Sequence, residues 1–229
     1  EYSIDKKNSC TFHENPRKIF FEILKIYFSD EANPSIDSSV KISSNTEIGK
    51  KVDIGPGTSI IGECIIEDDV TIGSNSLIIG PCRIGSKSSV ASGVIIGEES
   101  LSISQEGKKN FQNSQLGGVI IGKNSRIGVY STISKGSIGD TILGENVFIG
   151  EYVHIGHNSK IASNSIFTLR SSVCGSVVIE KRCWLGPHSL ILNGVRVSEE
   201  IKLGANSVLQ TNAKKSGTYF GNPAKMFKF

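Results

Sequence analysis

The sequence predicts an all-β solenoid of very short strands, on three observations. From Ile36 an aliphatic residue recurs every six positions through Ile42, Ile48, Ile54, Ile60 and onward to Ile96. The register returns at Ile121, Ile127 and Ile133, then runs from Leu143 to Leu209 with Phe167 as its one aromatic member. Four places after each aliphatic stands a small or β-branched residue, such as Val40, Thr46, Val52, Cys64 or Ser76, and Gly often follows directly. Finally, aromatics make only 7% of the chain while Gly makes 25 of 229 residues. A period of six matches neither the 3.6 of a helix nor the 2.0 of a long strand. It fits short strands joined by tight turns, whose Gly, Asn, Ser and Asp tolerate positive φ. Three hexads close one triangular coil, and stacked coils bury a continuous aliphatic column. That interior is narrow, which explains the scarcity of aromatics. Roughly nine coils are expected.

The elements follow in order. Residues 1–35 lack the period, and Pro16 to Phe28 reads as a short amphipathic helix with Pro at its start. Residues 36–211 form the solenoid, broken by a polar insertion at 97–120. A long loop that interrupts a regular repeat serves as a flap or as an arm that grips a neighbour. Residues 212–229 form a tail.

Composition excludes several classes. Apolar residues at 38% and charged residues at 21% fit a globular chain, and no apolar run is long enough to cross a membrane. A net charge of +3, with scattered Lys and Arg, gives no nucleic-acid footprint. The five cysteines are odd in number and contain no Cys-x-x-Cys pair, so a reduced, cytoplasmic protein without a zinc ribbon is expected.

Over about four fifths of its length the pattern resembles the hexapeptide-repeat acyltransferases, and that resemblance implies a left-handed parallel β-helix. The stretch Gly118 to Gly122, the segment Gly139-Asp140-Thr141-Ile142-Leu143-Gly144, and Val153-His154-Ile155-Gly156-His157-Asn158 are similar to the UDP-3-O-acylglucosamine N-acyltransferases of lipid A synthesis. The resemblance implies that His157 is the catalytic base, and that the backbone N–H of Gly175, one coil further on, polarises the thioester carbonyl. His157 falls two places after an inward Ile, hence on a coil corner, and imidazole is the side chain suited to accept a proton near neutral pH. The carboxylate that precedes the histidine in that family is Gly150 here, with Glu151 beside it as a weak substitute. His154 is expected to contact substrate at most, and His188 to be structural.

Two further segments carry resemblances. Phe12-His13-Glu14-Asn15-Pro16-Arg17 is similar to that family's nucleotide-binding segment, which implies that Phe12 stacks on uracil and Asn15 bonds its edge. The alternative is a helix start packed on the first coil. Gly221-Asn222-Pro223-Ala224-Lys225 resembles the ending of acetyl-CoA-dependent sugar and xenobiotic acetyltransferases, so Lys214, Lys215 and Lys225 are candidates for the phosphates of CoA.

The leading expectation is an acetyl-CoA-dependent N-acetyltransferase acting on a UDP-linked amino sugar for a cell-surface glycan. It needs no metal and assembles as a homotrimer, as the family resemblance implies. One alternative is the lipid A N-acyltransferase itself, with a hydroxyacyl carrier protein as donor; another is sugar O-acetylation. Zinc-dependent hydration of carbon dioxide needs three converging histidines, and the spacing of His154, His157 and His188 does not supply them. A structural or ice-binding solenoid would show a monotonous Thr-rich face, which is absent from this sequence.

Overall fold

The computed structural model describes residues 13–28 and 33–227. The chain divides into two units, residues 1–33 and 34–229. In the first, a helix spans Pro16–Phe28. Pro supplies the fixed φ of its first position, and Asn15 caps it by accepting the Lys18 N–H at 3.0 Å. None of the helix residues is buried.

The second unit is the predicted solenoid, a left-handed parallel β-helix. Its strands fall into three parallel sheets, here called faces A, B and C in the order in which the chain visits them. Face A includes Phe148–Ile149, face B includes His154–Ile155, and face C includes Lys160–Ile161. The chain then returns to face A at Ile166–Phe167. The register is in phase throughout: Ile133 pairs with Ile155, and Ile155 with Val173. The six-residue aliphatics form the buried column, with Ile60, Ile78, Ile96, Ile127 and Ile191 at 1% exposure or less. Each fully buried Ile stabilises the coil by about 1.5–3 kcal/mol relative to an exposed one.

The corners explain the turn residues. Non-glycine residues there adopt φ near +57°, including Asn124, Asn146, Asn164 and Asn206, and Asn tolerates that region better than most. On the C/A corner three of them form a ladder, Asn124 Nδ2 donating to Asn146 Oδ1 at 3.0 Å and Asn146 Nδ2 to Asn164 Oδ1 at 2.7 Å. Inward serines act similarly: Ser125 Oγ donates to the Gly144 carbonyl and accepts the Val147 N–H. Among the described residues the buried hydroxyls of Ser171 and Ser189 have no hydrogen-bond partner.

The two register breaks both fall on the B/C corner. The first is the predicted insertion, which is a hairpin and not an irregular loop: Ile103–Glu106 pairs antiparallel with Lys109–Gln112. It leaves from face B after Ile96 and re-enters on face C at Val119. The second leaves face B after Ile133 and re-enters face C at Thr141. Four extra residues there make the step from Thr132 to its partner His154 one of 22, against 18 from His154 to Ser172. Every irregularity of the coil thus gathers beside His157.

Candidate active site

His157 and Gly175 occupy the same corner in consecutive coils, about one strand spacing (~4.8 Å) apart. They line a groove of about 500 Å³ together with His154, Thr132 and Cys174. Glu98 to Leu101, the root of the hairpin, forms its far rim.

The imidazole is held by its neighbour. His157 Nδ1 lies 3.0 Å from Asn158 Oδ1. That amide has one orientation, because its Nδ2 donates to the Gly139 carbonyl at 2.9 Å and its Oδ1 accepts the Ser137 N–H at 2.9 Å. Asn158 Oδ1 can only accept, so Nδ1 of a neutral His157 carries the proton and Nε2 keeps its lone pair. The four-residue insertion supplies both anchors of the amide. Asn158 N–H also donates to Thr141 Oγ1 at 2.8 Å. The partner of the imidazole is thus an amide and not the carboxylate of Glu151.

Gly175 is buried under that imidazole. A Cβ there would overlap His157 Nε2, with Cε1 at 2.7 Å and Cδ2 at 2.8 Å. The first N–H of each turn falls outside the inter-coil ladder. Side chains from neighbouring coils accept it at Lys50, from Asp68, and at Glu145, from Ser163. Among the described residues nothing accepts the Gly175 N–H, although its carbonyl accepts Gly194 N–H at 3.0 Å. A base with a free lone pair therefore adjoins a free backbone donor. That is the pair needed to deprotonate a nucleophile and hold an oxyanion.

His154 lines the same groove from face B, its Nδ1 2.8 Å from Thr132 Oγ1. Burial, and secondarily the nearby His157, hold its pKa below the usual 6.5. A histidine with a depressed folded pKa binds its proton more weakly folded than unfolded. Its contribution to stability is complete above about pH 6.5 and is lost as pH falls from there through the folded pKa. His154→Gln should therefore flatten the fall of Tm between pH 7 and 5; an unchanged slope would remove His154 as its source. Cys174 is half-buried, and burial raises its thiol pKa, so it stays a protonated small side chain, not a nucleophile.

The remaining candidates lie elsewhere. Glu151 sits on the A/B corner, across face B from His157, and does not line the groove of its own chain. Lys214 lines a separate recess of about 250 Å³ with Arg196 and Glu180. The Lys215 carbonyl accepts the Tyr219 hydroxyl at 3.0 Å, and Lys225 belongs to the strand Ala224–Met226 paired with Gly217–Gly221. None of the three lysines reaches the groove. The Asn15 side chain caps the helix, His188 turns an A/B corner at φ +58°, and Phe12 lies outside the described residues. Among the described residues no cluster of three His, Cys, Asp or Glu could hold a metal, and no helix is long and apolar enough to cross a membrane.

The chain is similar to several known proteins. Residues 63–98 match the family model "Bacterial transferase hexapeptide (six repeats)", and residues 176–211 match "Hexapeptide repeat of succinyl-transferase". A UDP-3-O-acylglucosamine N-acyltransferase of Coxiella burnetii is 29% identical over 201 residues, covering 82% of this chain and 57% of that protein. One from Janthinobacterium sp. (strain Marseille) is 28% identical over 139 residues, covering 61% of this chain and 40% of that protein. The chain thus spans only part of the relatives it matches. Among solved structures, a UDP-N-acetylglucosamine acyltransferase from Campylobacter jejuni superposes with a TM-score of 0.76 at 27% identity, over 84% of this chain and 74% of that one.

Proposed function

We propose that this hexapeptide-repeat β-helix, which resembles the UDP-3-O-acylglucosamine N-acyltransferases, transfers an acyl group from a thioester to the amine of a UDP-linked amino sugar. The observation that carries the reading is the juxtaposition of His157 Nε2, free to accept a proton, with the unclaimed N–H of Gly175. The neutral amine attacks the thioester carbonyl, and His157 Nε2 takes the proton from nitrogen as the C–N bond forms. The oxyanion rests on the Gly175 N–H. Its collapse breaks the C–S bond, and the thiolate leaves with the proton returned by His157. Asn158 keeps the imidazole in the required tautomer.

On the donor, the lipid A type of reaction, with an acyl group on a carrier protein, has more support than acetyl-CoA. The relatives that match over most of the chain bear the lipid A enzyme's name, and Lys214, Lys215 and Lys225 lie away from the groove. The acetyl-CoA reading keeps one observation, the Gly-Asn-Pro-Ala-Lys tail, which folds as a hairpin on the last coil. A UDP-amino sugar panel offered with hydroxyacyl carrier protein or with acetyl-CoA decides between them. Carrier-protein turnover is expected to exceed acetyl-CoA turnover by tenfold or more, and the reverse ratio would restore the acetyltransferase reading. A cytoplasmic location goes with either donor.

The hairpin root rims the groove, so the hairpin covers the acceptor. Replacing residues 101–113 with a short Gly-Ser link should raise KM for the sugar more than KM for the donor. Equal effects on both would separate the hairpin from acceptor binding. A homotrimer is expected, with a sedimenting mass three times 24.6 kDa; a fully active monomer would exclude it.

A further inference from the structure

The B/C corner carries one residue per coil, two places after each inward aliphatic of face B. In five successive coils these are Glu98, Lys135, His157, Gly175 and Asn193, after Ile96, Ile133, Ile155, Val173 and Ile191, which pair in register. The two insertions leave the coil only beyond this position. Gly97 N–H still donates to the Ile133 carbonyl at 2.9 Å, Ser134 N–H to the Ile155 carbonyl at 3.0 Å, and Lys135 N–H to the Glu98 carbonyl at 3.2 Å. Gly97 takes φ +85°, and a Cβ on it would overlap the Ile79 carbonyl, so glycine is required at the turn that presents Glu98. Glu98 thus stands in the same column as His157, two strand spacings (~9.6 Å) before it. Gly175 and Asn193 continue the column on the other side.

Of the residues that line the groove, only Glu98 and Glu99 carry a fixed charge. Glu99 is matched. Lys135 Nζ, on a side chain only 16% exposed, lies 3.8 Å from Glu99 Oε1, which also accepts the Gln115 N–H at 3.3 Å. Lys135 itself does not line the groove. Among the described residues Glu98 has no cationic partner, and its Oε1 accepts only the Glu99 N–H, at 3.2 Å. A carboxylate can only accept, and in the open groove water supplies its remaining donors. A ligand that fills the groove displaces that water and must bring donors of its own, or the carboxylate is left unsatisfied.

Glu98 therefore restricts what lies between it and His157. A diphosphate brings negative charge and acceptors, so it is repelled from this end of the groove. An ammonium is attracted, but one nitrogen cannot touch both Glu98 and His157 Nε2 across two strand spacings. One sugar ring spans that gap, with its amine at His157 and the hydroxyls of its far side at Glu98. We propose that Glu98 is an acceptor-binding residue: its carboxylate accepts hydrogen bonds from the hydroxyls that lie across the sugar ring from the reacting amine. It thereby fixes which ring position faces His157 and turns the diphosphate away from the hairpin root. A sugar substituted at those hydroxyls is refused, because the carboxylate then faces a group that cannot donate. The identity of the ligand rests on the acyl-transfer reading, whereas the unpaired carboxylate two spacings from His157 does not.

The test pairs Glu98→Ala with acceptors that lack one hydroxyl. The acceptor is UDP-3-O-acylglucosamine, compared with its 4-deoxy and 6-deoxy analogues, whose missing hydroxyls lie across the ring from the amine. For the wild-type protein at least one analogue should raise KM by roughly tenfold or more, the loss of a hydrogen bond to a charged group. Glu98→Ala should raise KM for the full acceptor by a similar factor and leave KM for the donor unchanged. It should also treat that analogue and the full acceptor alike, to within about twofold, because the two changes remove the same contact. Glu98→Gln, which keeps an acceptor oxygen without the charge, should recover part of the loss. Equal discrimination against the analogues by wild type and Glu98→Ala, or an unchanged acceptor KM in Glu98→Ala, overturns the assignment. So does an equal rise in both KM values, which would mean that the hairpin root has moved. A defect that vanishes above the pKa of the acceptor amine, with discrimination intact, overturns it in favour of an ammonium contact. Failure of the wild-type protein to acylate any UDP-amino sugar would instead remove the acyl-transfer reading, and the sugar-hydroxyl contact with it.

Discussion

His157→Ala is expected to lower kcat by roughly 10²–10⁴, the range that general-base catalysis supplies, with the circular-dichroism spectrum and Tm close to wild type. The fold should survive because His157 is a half-buried corner residue outside the aliphatic column. Its hydrogen bond to Asn158 is one of several that hold the amide, which keeps Gly139 and Ser137 as partners. KM for the acceptor should change little, since a proton acceptor acts in the transition state and not in binding. Asn158→Ala should reproduce part of the loss by freeing the tautomer, and should lower stability only modestly, because the Ser137 N–H is half-buried and the Gly139 carbonyl exposed, so water can replace the lost partner (about 0.5–1.5 kcal/mol net per hydrogen bond). Turnover near wild type in His157→Ala, measured with the true donor and acceptor, would leave the reaction without its base.

The fold was legible because a hexad puts one aliphatic inward per strand, and no other architecture has that period. The corner position of His157 followed from the same count. What could not be read was the identity of its partner. Asn158 stands at φ +57°, a position that Asn124, Asn146, Asn164 and Asn206 fill on other corners for backbone reasons alone, so nothing in its type marks it as functional. Its anchors come from Ser137 and Gly139, within a four-residue insertion whose conformation no periodicity specifies. The hairpin was similarly hidden: Ile103–Glu106 and Lys109–Gln112 are exposed throughout and lack the alternation that marks a half-buried strand. Glu151 was drawn toward His157 by closeness in sequence, yet six residues of this coil carry the chain across a whole face.

Gly175→Ala is the second large effect expected, a fall in kcat of roughly 10²-fold, the cost of displacing a reacting group by about 1 Å. Gly175 does not sit at positive φ, so alanine is compatible with the backbone. The atoms that a Cβ would meet belong to the His157 imidazole, a side chain that can swing aside. The coil should therefore stay intact while Nε2 is pushed off the line to the substrate amine. Gly156→Ala is the contrast, since its Cβ would meet the backbone of Cys174 and Gly175 at 2.7 Å, and there both stability and activity should fall. The decisive measurement is a double-mutant cycle. If Gly175→Ala acts by displacing the base, adding it to His157→Ala should cost almost nothing further. Fully additive losses would mean that the methyl group blocks the thioester directly, and that His157 and Gly175 act on the substrate without touching each other.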